Sequence, residues 1–307
     1  MTILLINKIA SMLIMMLAGF LLVKLKLVKP EESKVLSTCA VYLILPVTIV
    51  RTFQVTLTED ILAGFLLAIG AAVLILLGFV FLSIPAKKMF KLTPVEQASV
   101  VYSNAGNLIL PLVTAVLGDE YIIYATPFMT VQLVFLWSHG KSVICGEKGF
   151  NIKKVLLNVN IISIGIGILV MLSGIRFPAL IDDTMASLST LLAPTAMLTT
   201  GFLLGGMDLK KVFLNRRIWL VSLLRLIVFP LIVLLVLRFS GIASLVPDGR
   251  KLLLISLFAA AAPSVATVMQ QAQVYGSEAD YAGAINVVTT TLCVVTMPFM
   301  TMLYELL

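Results

Sequence analysis

The chain has 307 residues, 60% of them hydrophobic and 12% charged, with a formal net charge of +7. A soluble domain carries about 25% charged residues, so composition excludes one and implies an all-α polytopic membrane protein. The positive excess then serves orientation in the bilayer rather than nucleic-acid binding, and the lipid bilayer is the expected surround.

At roughly 20 residues per span, this length accommodates about ten membrane helices. They are predicted at 4–23, 35–53, 61–84, 95–117, 121–139, 155–173, 180–206, 218–238, 251–272 and 280–302. The first has only Lys8 near its start and no small-residue cleavage site, so it reads as a span and not a leader. The second and seventh carry mid-span prolines, Pro46 and Pro194. The fourth contains Ser103-Asn104-Ala105-Gly106-Asn107 and then Pro111, and the ninth contains Ala262-Pro263-Ser264. His139, the single histidine, ends the fifth span and reads as an interfacial surface residue. Arg225 lies about seven residues into the eighth, where it is expected to snorkel to the cytoplasmic face or to make a structural hydrogen bond. Thr195, Thr199, Thr289 and Thr290 are expected to bond back to their own helices. Cys39, Cys145 and Cys293 are too scattered for a metal or redox pair and read as buried small hydrophobes; no metal or cofactor is expected.

Lys and Arg are unevenly shared between the two sides. Fifteen lie in the loops after the first, third, fifth and seventh spans, against six on the opposite side. The positive-inside rule therefore puts both termini on the extracytoplasmic side of a cell membrane.

Five spans per half imply that the halves insert with opposite orientation. The expected organisation is a first repeat at 1–140, a basic cytoplasmic linker at 141–154 and a second, inverted repeat at 155–307. Both broken spans end in similar turns, Gly118-Asp119-Glu120-Tyr121 and Gly276-Ser277-Glu278-Ala279. A central interruption recurring in both halves is the best sequence pointer to a transporter's binding site. Proline removes a donor and suits the first turn of a helix, so Pro111 and Pro263 are each expected to end one half-helix and begin another. Each second half-helix then offers unpaired N–H groups equivalent to roughly +0.5 charge, which suits a carboxylate. The candidate substrate-binding residues are Ser103, Asn104, Asn107 and Pro111 in the fourth span and Pro263, Ser264 and Thr267 in the ninth. The asparagines donate hydrogen bonds without fixed charge; the competing reading is that they cap the freed backbone. No acidic residue falls at a predicted mid-membrane position, which argues against a central proton relay.

At Asn104-Ala-Gly-Asn107-Leu-Ile-Leu-Pro111, Ala262-Pro263-Ser-Val-Ala266, Ala272-Gln-Val-Tyr275-Gly276 and Thr289-Thr290-Thr291, the chain resembles the auxin efflux carrier family. That family includes the PIN-FORMED proteins and bacterial permeases of the malate and malonate type; the short linker here is closer to the bacterial branch. The resemblance implies a fold similar to bile-acid symporters and sodium–proton antiporters, with crossed helices 4 and 9. Helices 1, 2, 6 and 7 would be the scaffold, and helices 3–5 and 8–10 a transport domain moving as an elevator. It implies a secondary transporter of small organic anions, auxin-like or malate/malonate-like, and a homodimer through the scaffold helices is a further expectation. An enzyme is disfavoured, since no HExxH, nucleophile–histidine set or GxxxxGK loop is present. An anion channel and a non-transporting sensor are the rival classes.

Overall fold

The computed structural model describes residues 2–146, 153 and 156–307, and of residues 2–6, 8, 9, 106, 107, 111, 115, 145, 209, 211, 270, 273 and 274 it describes no side chain. The helices are α1 (Thr2–Lys24), α2 (Pro30–Thr52), α3 (Glu59–Phe90), α4 (Pro94–Val101), α5 (Leu110–Val116), α6 (Asp119–Ile144), α7 (Val159–Ser173), α8 (Ala179–Gly206), α9 (Arg216–Phe239), α10 (Gly249–Ala261), α11 (Ala266–Val274) and α12 (Ala279–Leu306). Among the described residues, six of these are long and apolar enough to cross a membrane: α2, α3, α6, α8, α9 and α12. The expected ten full-length spans are thus met only in part. The described apolar stretches of α1 and α7 are shorter, and the fourth and ninth spans are each divided in two.

Several helices contain a wide π-type turn, and three of these turns end two residues before a proline: Ala40–Ile44 before Pro46, Ala105–Ile109 before Pro111 and Leu224–Val228 before Pro230. A proline ring excludes the carbonyl four residues back, and the extra residue in the turn absorbs that misfit. Helix α3 overruns its predicted end at 84 and reaches Phe90, with Pro85 inside it. Lys87 and Lys88 favour its C-terminal end, and Lys91 closes it in the left-handed conformation (φ 50°).

Packing falls into two groups. Helix α1 runs along α8, and α2 lies against α7 and α8. The α1–α8 approach depends on glycine: a Cβ on Gly201 would stand 2.2 Å from the Met16 carbonyl oxygen, and one on Gly19 2.8 Å from that of Leu198. Such backbone contact is how membrane helices gain dispersion energy where lipid offers no hydrophobic contrast. In the other group, α3 packs on α6 and α10, and α12 packs on α9, α10 and α11. From Leu252 to Ala261, α10 is buried at every position.

Two clusters of charged residues tie helices together. Glu96 forms a capping box with Thr93 at the start of α4 and is almost fully buried. Its carboxylate accepts from both Arg217 Nε (2.9 Å) and Tyr281 OH (2.7 Å), which ties α4 to α9 and α12. Arg51 on α2 donates to Asp182 on α8 at 3.1 Å and lies 3.6 Å from Asp119, the first residue of α6. Cys293 is buried as expected, but Cys39 is exposed; the side chain of Cys145 and residues 147–152 and 154 of the linker lie outside the described residues.

Candidate functional site

The two interrupted segments meet. Tyr102, with φ −98° and ψ 129°, leaves α4 in extended geometry, and Ala262, with φ −64° and ψ 153°, leaves α10 the same way. The second break follows directly from Pro263, which pushes the residue before it out of the helical region. The first is placed differently from expectation. It falls at Tyr102–Asn104, while Pro111 sits in the first turn of α5 and interrupts nothing. So Pro263 ends a half-helix, whereas the second half of the fourth span begins at the π-type turn Ala105–Ile109 and Pro111 lies just after it.

Between the breaks, Ser103 and Ser264 pair as an isolated antiparallel bridge. The Asn104 N–H donates to the Pro263 carbonyl at 2.7 Å, and the Val265 N–H to the Tyr102 carbonyl at 3.2 Å. Two extended segments inside a membrane protein thereby satisfy part of each other's backbone, as a low-dielectric setting demands.

Each bridge serine is gripped by an amide from the following span. Gln132 on α6 accepts from both the Ser103 N–H (2.9 Å) and its hydroxyl (2.7 Å), and returns a bond from Nε2 to the Ser103 carbonyl (2.6 Å). On the other side Asn286 on α12 donates through Nδ2 to the Ser264 carbonyl, and the Ser264 N–H donates to Thr289 Oγ1 at 3.2 Å. Sequence reasoning missed Gln132 and Asn286 in these roles. The available signal was a lone amide in each apolar run, since polar groups at that depth are expensive and seldom idle. Thr289 does bond back to Ile285, as expected, and accepts the Ser264 N–H as well.

Arg225 is completely buried and does not snorkel. Its guanidinium donates to four backbone oxygens: Ala262 (2.8 Å), Ala260 (2.8 Å), Val100 (3.0 Å) and Val101 (3.4 Å). The structural hydrogen-bond alternative is the one adopted. His139 is half-buried, with Nδ1 2.8 Å from the hydroxyl of the buried Tyr102.

Of the predicted site residues, Ser103, Asn104, Pro263 and Ser264 come together at the bridge, with Thr267 in the first turn of α11. Asn104 is half-buried, and its side chain makes no capping hydrogen bond to the turn that follows, so for Asn104 the capping alternative is not the one adopted. The Ser264 hydroxyl is buried and has no hydrogen-bond partner among the described residues. Ser103, by contrast, is committed to Gln132. The side chains of Asn107 and Pro111 lie outside the described residues. Facing α1 and α8 is a narrow apolar crevice of about 20 Å³, room for roughly one water molecule, lined among others by Met12, Met16, Leu108, Met197, Cys293 and Met297. Cys293 Sγ reaches the Ala261 carbonyl at 3.8 Å, so the crevice abuts the end of α10.

A protein-family model described as membrane transport protein matches the chain in two stretches, residues 4–150 and 147–301. No curated protein matches the chain.

Proposed function

Because the chain belongs to the membrane transport protein family, that of the auxin efflux carriers, we propose that it is a secondary carrier of organic anions that binds its substrate at the crossing of the two broken segments. The observation carrying this reading is the Ser103–Ser264 bridge. It brings the starts of two half-helices together, and the first N–H groups of a helix have no intrahelical partner. Asn104, Thr267 and the unpartnered Ser264 hydroxyl supply further polar atoms there. Asn107 joins this set on sequence grounds.

The remaining organisation follows as part of the same reading. Ten segments form two inverted repeats of five, with both termini extracytoplasmic. Helices α1, α2, α7 and α8 serve as scaffold, and the other group carries the site past them as an elevator. A membrane potential negative inside favours anion export by about 2.3 kcal/mol per charge per 100 mV.

Counterflow in proteoliposomes tests this. Preloaded indole-3-acetate or malonate is expected to accelerate uptake of the same labelled acid with saturation. Non-saturating flux would indicate a channel. Binding of these acids without exchange would indicate a sensor.

A further inference from the structure

We infer that Arg225 is a built-in cation of the crossing: it occupies the carbonyl ends that broken-helix carriers otherwise offer to a metal cation, and leaves the positive helix ends to face the carried anion. The inference rests on the reading that organic anions bind at this crossing.

The geometry is specific. Val100 and Val101 are the last residues of α4, Ala260 lies in the last turn of α10, and Ala262 follows it. These are C-terminal carbonyls of both first half-helices, and one guanidinium bonds to all four. Each helix C-terminus carries roughly −0.5 charge, so two meeting together present about −1, which a single fixed cation offsets. Among the described residues no carboxylate forms an ion pair with Arg225; carbonyl oxygens and the Phe79 ring, 5.3 Å from Cζ, surround it. In carriers with discontinuous helices, unwound carbonyls and half-helix C-termini coordinate Na⁺, while N-termini point at anionic groups. Here the first of those two roles is already filled by a side chain. Arginine suits it better than lysine would. A planar fork with five donors covers four acceptors from two segments of the chain, whereas a lysine ammonium has three donors at one point.

Two consequences are measurable. Wild-type counterflow of indole-3-acetate in proteoliposomes should be the same in sodium, potassium and choline salts. Arg225→Gly should lose about tenfold or more of that flux, as expected for uncovering buried polar groups. Low-millimolar guanidinium should restore flux to Arg225→Gly and raise its melting temperature, without raising that of wild type. Arg225→Met, whose side chain refills the space, should not be rescued. Rescue by a free guanidinium is a response that simple loss of packing does not give. A strong sodium requirement of the wild type, or full flux in a folded Arg225→Gly without added cation, would overturn the inference. If Arg225→Gly does not fold, the salt comparison on wild type decides. A wild type that exchanges no carboxylate counts against the carrier reading instead, and guanidinium-dependent melting of Arg225→Gly still tests the cation assignment.

Discussion

Gln132→Leu is expected to lower the stability of the folded protein by about 3–5 kcal/mol and to abolish transport. Three polar groups of Ser103 depend on this one amide: the N–H, the hydroxyl and the carbonyl. A buried group left without a partner costs about 1–3 kcal/mol. Hydrogen bonds between membrane helices average nearer 0.6 kcal/mol, because displaced groups usually find new partners. Ser103 has less freedom to do so. It is 1% exposed, lies in extended backbone, and is fixed by the bridge to Ser264. The per-bond figure therefore belongs in the upper part of the membrane range. Asn286→Leu removes one bond to the Ser264 carbonyl and leaves the Ser264 N–H on Thr289, so a smaller loss of about 1–2 kcal/mol is expected. Thermal melts of the purified variants check the order. Equal melting of Gln132→Leu and wild type would mean that this amide does not hold the break open.

Asn104→Asp is expected to eliminate carboxylate binding while leaving the fold intact. The side chain is half-buried and makes no capping bond, so its replacement disturbs no internal partner of the following turn. A carboxylate there would face the substrate's own. At about 4 Å and an effective dielectric near 20, two like charges repel by about 4 kcal/mol, on the order of a thousandfold in affinity. Asn104→Ala removes a donor without adding charge and should weaken binding by about tenfold. The order Asp far below Ala, read from competition binding near neutral pH, distinguishes an anion site from a polar site of no particular sign. Equal losses in the two variants would mean that charge is not what the crossing selects.

Much of this arrangement is legible in the sequence, and the rest is not, for identifiable reasons. Pro263 announces its break, because the residue before a proline cannot stay helical without strain. The glycines of the two matching turns also read correctly: Gly118 has φ 114° and Gly276 φ 66°. The first break carries no such marker at its own position. Its proline lies several residues further on, within the next helix, so the sequence points to an interruption later than the one that forms. Arg225 illustrates a different limit. Snorkelling and inward bonding are both open to a long cation in a span, and the choice depends on carbonyls that folding brings from 35 to 125 residues away. Gln132 and Asn286 are hidden for the same reason: each is an isolated amide whose partner, Ser103 or Ser264, lies 29 or 22 residues earlier. The hydrogen bond of His139 likewise depends on Tyr102, 37 residues earlier in the break after α4.

The most direct measurement is thiol modification at the crossing itself. With Cys39, Cys145 and Cys293 replaced by Ser, Asn104→Cys would be treated with anionic and cationic methanethiosulfonate reagents, each rate normalised to that with a free thiol. Faster normalised modification by the anionic reagent, slowed by added indole-3-acetate, is the predicted result. Preference for the cationic reagent, or no protection by any organic acid that the protein exchanges, would contradict it.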